Sequence, residues 1–186
     1  MSTALLLIDI QNDYFTGGRM ELVNSQEAAE AAARLLASFR KESWPVYHIQ
    51  HISAQPTATF FLPGTPGTDI HHTVLPLPGE PVITKHYPNS FRATGLLERL
   101  KADGIDRLLI CGMMTHMCVD ATTRAAFDLG FTCTVAQDAC ATRDLVFNNR
   151  HIPAEQVHGS FLAALGAVYA ELKETDEIID TIETAA

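Results

Sequence analysis

This sequence predicts an α/β fold built on a parallel sheet, and three observations carry that prediction. Short apolar runs alternate with amphipathic stretches along most of the chain. The runs are continuous rather than alternating, as strands covered on both faces are. The stretches between them are helical in period, which makes each connection a right-handed crossover between parallel strands. With 186 residues and 47% hydrophobic content the chain can bury one sizeable core, so residues 1–186 are expected to form a single domain.

The elements follow in order. Residues 4–10 form the first strand; they lack the basic flank and small-residue cleavage site of a signal peptide. Asn24 with Glu27 three residues on makes a capping-box signature for the first helix. In that helix Ala28, Ala31, Ala32, Leu35, Leu36 and Phe39 recur on one face down to about Lys41. Strand two covers residues 46–52 after Pro45, and strand three residues 81–85. A second helix spans residues 94–102 and stops near Gly104. Residues 107–111 form strand four, and a third helix runs from Cys118 to Leu129, with Gly130 as its stop. Strand five is 131–136. Pro153 suits the first turn of a last long helix reaching Gly166, and a sixth strand is placed at 169–175.

Composition excludes several partners. Thirteen basic against twenty-two acidic residues leave a net charge of −9, which opposes binding to nucleic acid or to an anionic membrane. The apolar runs fall short of the roughly 18 residues that a spanning helix needs. The cysteines at 111, 118, 133 and 140 form no CxxC pair, so neither a zinc knuckle nor a disulfide framework fits; a reducing, cytoplasmic setting is expected.

Ligands of an open parallel sheet bind beyond the carboxyl ends of its strands. Asp9 ends strand one, Lys85 ends strand three, and Cys118 follows strand four. A cysteine at a helix start meets unpaired N–H groups and the positive end of the dipole, which predicts a depressed pKa and a nucleophile. Each residue also has a plainer role: Cys118 as a small buried side chain, Asp9 as a turn former, Lys85 as an edge lysine with its stem buried. Their coincidence at one edge favours chemistry. The stretch 53–79 breaks the rhythm with five prolines, three glycines and apolar Phe60, Phe61 and Leu62. At that length it is either a lid or a subunit contact, or a surface loop packed on its own side chains.

Several segments together resemble the isochorismatase-like cysteine hydrolases: Asp9-Ile-Gln-Asn-Asp-Tyr-Phe15, Lys85-His-Tyr-Pro-Asn-Ser-Phe91, Gly112-Met-Met-Thr-His-Met-Cys-Val-Asp120, Gly130-Phe131 and Asp138-Ala139. The resemblance covers nearly the whole chain. It implies a three-layer α-β-α sandwich around a mostly parallel six-stranded sheet, and a catalytic triad of Asp9, Lys85 and Cys118. It further implies a cis peptide before Met114 and an oxyanion hole from the backbone N–H groups of Met114 and Cys118. Gln11, Phe15, Phe91, Thr115 and His116 are placed near the substrate pocket.

The chemistry implied is hydrolysis of a carbon-nitrogen bond of a small molecule through a thioester, with no cofactor. Vinyl ether hydrolysis of the isochorismatase type, or a catalytically inactive scaffold, are the alternatives. Metal-binding relatives carry an Asp-x-His after strand two; this chain has His48-Ile-Gln-His-Ile-Ser-Ala-Gln55, without the aspartate, so no metal is expected. His51, His71 and His72 read as neutral surface or loop histidines. Relatives commonly assemble, and the apolar loop residues 60–62 point to a homo-oligomer, a dimer or tetramer.

Overall fold

The structure, a computed structural model, describes residues 2–185. Six parallel strands make one sheet: β1 (Ser2–Ile8), β2 (Val46–His51), β3 (Val82–Lys85), β4 (Ile105–Met113), β5 (Thr132–Ala141) and β8 (Glu171–Lys173). Their order across the sheet is β3-β2-β1-β4-β5-β8. Side chains of β1 alternate between faces: Leu5 and Leu7 join one core with helix α1 (Ser25–Lys41) and helix α5 (Thr175–Ala185). Ala4, Leu6 and Ile8 join the other, with α2 (Leu96–Ala102), α3 (Asp120–Asp128) and α4 (Ala154–Gly166). The result is a three-layer α-β-α sandwich, and β1 is apolar throughout because both of its faces are covered.

Several boundaries differ from the sequence expectation, each for a local reason. Strand β1 stops at Ile8, because Asp9 turns into the left-handed region at φ 52°. Asn24 is also left-handed, at φ 58°, so its side chain makes no cap; side-chain capping needs an extended backbone at that position. Its carbonyl instead accepts the Ala28 N–H at 3.1 Å. Cys118 does not open α3. It lies in a π-type turn, Thr115–Val119, that precedes the helix. Strand β8 is shorter than expected, and α5 follows it, started by Asp138, whose Oδ1 accepts both the Thr175 N–H and hydroxyl at 2.8 Å. An antiparallel hairpin, β6 (Leu145–Phe147) with β7 (Arg150–Ile152), turns on Asn148 and Asn149, both at positive φ as such tight turns require.

Residues 53–79 fold back beside the carboxyl ends of the strands. Phe61 is fully buried, with its ring 4.6 Å from that of Tyr14 and 5.0 Å from that of Phe60. Much of the apolar surface on which the expected homo-oligomer rests is therefore covered within one chain. Among the described residues the most exposed large apolar side chains are Val146 and Phe147 on the hairpin, at 72% and 68%.

Gly112 positions the site. At φ 128° it sits against Ile8, and a Cβ there would collide with the Ile8 backbone. The ends of β1 and β4, which lead to Asp9 and to the Cys118 turn, thus lie closer than any other residue type permits.

Candidate active site

The strand order brings Asp9, Lys85 and Cys118 together from three strand ends that are far apart in the sequence. Asp9 and Lys85 are fully buried and Cys118 is 4% exposed. Lys85 Nζ lies 2.7 Å from Asp9 Oδ2, as an ion pair, and 3.2 Å from Cys118 Sγ, to which it donates. It also donates to the Tyr87 carbonyl at 3.1 Å and to His51 Nδ1 at 2.9 Å. The Asp9 carboxylate receives no backbone N–H among the described residues and is held by the Lys85 ammonium.

Electrostatics correct one expectation. Burial raises the Cys118 pKa well above its ordinary value, and the Asp9 carboxylate raises it further against the opposing Lys85 ammonium. The resting group is a thiol rather than a thiolate. A helix start stabilises an anion only where its N–H groups reach it and water is near, and the π-type turn withdraws Cys118 from that position. Lys85 stays charged: burial works against the ammonium, but Asp9 and Cys118 outweigh it and raise its pKa.

The remaining predicted residues divide. A cis peptide joins Met113 and Met114, directly before the turn that carries Cys118. Thr115 lies in that turn, its hydroxyl donating to the Ala141 carbonyl at 3.2 Å and meeting His158 Nδ1 at 2.9 Å. His116 pairs through Nδ1 with the Thr142 hydroxyl at 2.5 Å, and burial lowers its pKa. The carboxamide of Gln11 is committed to the framework: it donates to the Thr68 and His51 carbonyls at 2.7 and 2.9 Å and accepts the His51 N–H at 2.7 Å. Phe15 stacks on His71, centroids 3.5 Å apart, and Phe91 packs against Phe131 in the core on the α3 side.

Sequence reasoning missed two residues at the site and misjudged a third. Tyr14 is buried beside Cys118 and Asp9, and its pKa is raised by burial first and by these acidic neighbours after it. His158 reaches the site from α4, with no local signal to announce it. His51 was visible at the end of β2, yet it contacts Lys85 instead of lying on the surface, and His71 is buried as well.

Asp9, His51 and Cys118 each point one donor atom into a space less than 4.8 Å across, a set that on composition alone suits a cation. Lys85 Nζ already stands within 2.7–3.2 Å of all three, so the ammonium holds the position that a metal would take. The set does not fit a metal. A separate cleft, lined by Thr3, Phe39, Trp44, Arg107, Ile178 and Ile182, lies on the α1 and α5 face and includes none of these groups.

Comparison with known proteins shows the family and the fold. The family model described as the isochorismatase domain matches residues 3–156. The isochorismatase family protein YddQ of Bacillus subtilis, itself uncharacterized, is 51% identical over 96% of this chain and 99% of its own. A streptothricin hydrolase of Streptomyces noursei is 34% identical over 94% of this chain and 60% of its own. The crystal structure of an isochorismatase from Pseudomonas putida superposes with a TM-score of 0.88 at 37% identity, over 94% of this chain and 89% of the other.

Proposed function

Because this chain belongs to the isochorismatase family of hydrolases, we propose that it is a cysteine-dependent amidohydrolase acting on a carbon-nitrogen bond of a small amide, ureido or carbamoyl compound. One observation carries this: a buried cysteine and a buried carboxylate share one lysine ammonium, at 3.2 and 2.7 Å. The family includes proteins named for amide hydrolysis, a nicotinamidase and a maleamate amidohydrolase among them.

The steps follow from the groups present. Asp9 accepts the Sγ–H proton as Sγ adds to the substrate carbonyl carbon, and the Lys85 ammonium stabilises the sulfur anion as it forms. Backbone N–H groups of Met114 and Cys118 receive the oxyanion. Protonated Asp9 then gives its proton to the leaving nitrogen, the carbon-nitrogen bond breaks, and a thioester remains on Cys118. Water, deprotonated by Asp9, adds to the thioester and releases the acid, while Cys118 regains its proton. A resting thiol suits this sequence, because the proton that Asp9 takes is the one the leaving amine requires. The steps require no cofactor.

The test is a panel of small amides, ureas and carbamoyl compounds run beside isochorismate, with acid quench and mass spectrometry of the intact protein. At least one carbon-nitrogen substrate should leave a transient acyl mass on Cys118, and Cys118→Ala should lose the adduct and on the order of 10⁴-fold or more of the turnover. Turnover of isochorismate alone, retained by Cys118→Ala, would establish vinyl ether hydrolysis instead.

A further inference from the structure

The turn that carries Cys118 is wound unlike a regular helix. Within Thr115–Val119 the N–H groups of Met117 and Val119 both donate to the Met114 carbonyl, at 3.0 and 3.2 Å, while that of Cys118 between them does not. The Met114 N–H likewise meets no backbone acceptor among the described residues. Single π-type turns occur frequently at functional sites, and this one frees two donors that a regular helix would use. With fewer bonds of its own, the turn depends on what packs against it.

Helix α4 supplies that support. His158 Nδ1 lies 2.9 Å from the Thr115 hydroxyl, and Phe161, one turn along the same face, meets the His116 ring edge-on with centroids 5.9 Å apart. Thr115 is fully buried; its hydroxyl also donates to the Ala141 carbonyl at the end of β5, and among the described residues His158 is the only side chain that hydrogen-bonds it. Burial lowers the His158 pKa, against a backbone contact with Gln137, so the ring is neutral at pH 8. A neutral imidazole and a hydroxyl can each donate or accept, and the bond forms with either tautomer. Thr115 follows Met114 directly. A shift of Thr115 therefore moves the Met114 carbonyl, which closes the turn, and with it the N–H groups of Met114 and Cys118.

We infer that His158 is a positioning residue of the candidate active site: through the Thr115 hydroxyl it seats the turn so that the Met114 and Cys118 N–H groups converge beside Sγ. This role deepens the cysteine hydrolase reading and rests on its oxyanion step. His158 itself touches no reacting atom.

Two reagents that modify the same sulfur separate positioning from packing. p-Nitrophenyl acetate acylates Cys118: the sulfur-carbon bond forms, the ester carbon-oxygen bond breaks, p-nitrophenolate leaves and the thiol proton passes to Asp9, by way of an oxyanion that needs donors. Iodoacetamide alkylates the sulfur by displacing iodide, with no oxyanion. Cys118→Ala identifies the signal from Cys118 with both. In His158→Leu, acylation at pH 8 should fall roughly tenfold or more, short of the ~10²–10³-fold effect of losing an oxyanion donor outright, while alkylation stays within about threefold of the wild type. Thr115→Val should repeat that split, and the double variant should fall no more than about threefold below the lower single, as partners in one contact do. His158→Asn, whose amide can reach the same hydroxyl, should restore acylation to within about threefold of the wild type. Equal losses with both reagents, or unchanged acylation in His158→Leu, would show a packing contact only and overturn the inference. So would a wild type that iodoacetamide alkylates but the ester fails to acylate at Cys118, since the turn would then form no oxyanion site. Should His158→Leu fail to fold, Thr115→Val against Thr115→Ser decides: a split confined to Thr115→Val supports the inference, and any other pattern overturns it. The hydrolase reading fails separately, on substrate turnover retained by Cys118→Ala.

Discussion

Asp9 and Asp13 stand at the two ends of one turn after β1, both buried, in opposite surroundings. Asp13 accepts backbone N–H groups at both oxygens, from Arg19 at 3.2 Å and from Phe61 at 2.6 Å. Through the second it anchors the 53–79 loop, and Gly67 packs so closely on the carboxylate that a Cβ there would collide with it. Asp9 has no such donors and leans on the charge of Lys85. Backbone hydrogen bonds make Asp13 a fixed structural acceptor, whereas Asp9 faces a movable ammonium and, beyond it, the Cys118 thiol.

If that contrast holds, the two aspartates should fail differently when neutralised. Asp9→Asn should remove turnover on the order of 10⁴-fold or more, since the base of a catalytic unit has no substitute. It should also lower the melting temperature, because Lys85 loses its buried counter-charge, a loss of about 3–5 kcal/mol when one partner of such a pair is removed. For Asp13→Asn the main effect should be on stability, about 1.5–3 kcal/mol by denaturant titration as a charge-assisted acceptor is lost, with turnover reduced far less than in Asp9→Asn. Equal activity losses in the two variants would erase the distinction.

A subtler measurement sharpens it. The Asp9 charge raises the Cys118 pKa, whereas Asp13 is not among the groups that act on that thiol. The pH profile of Cys118 alkylation should therefore move to lower pH in Asp9→Asn and stay in place in Asp13→Asn. Smallest of all is Gly67→Ala, in which the loop backs away from Asp13; the expected loss is about 1–3 kcal/mol, as for other overpacked sites, with the alkylation profile unchanged.

The parts of the site that could be read from the sequence are those that obey strand-end logic. Asp9, Lys85 and Cys118 each terminate or follow an apolar run, and a parallel sheet delivers such residues to one edge whatever the strand order. His51 obeys the same logic, yet an imidazole after a strand carries no sign of what it will face. The contact with Lys85 that makes it informative exists only once β2 lies between β1 and β3. Capping at Asn24 misled for a related reason: the residue type permits an N-cap, but the bridge from Val23 to Thr142 ties that segment to the end of β5, and Asn24 itself turns left-handed.

The sequence by itself determined the layers. Residues 4–8 are apolar at every position, and residues 28–39 at every third or fourth, so the period of burial was written into the chain and dictated a sheet with helices packed on it. Tertiary structure alone decided how the reactive groups behave. The Cys118 thiol holds its proton, Asp9 faces an ammonium and Lys85 keeps its charge, because each depends on how much water and which neighbours surround it. Those neighbours come from segments up to about a hundred residues apart, and proton affinity follows the local field, which no stretch of sequence contains.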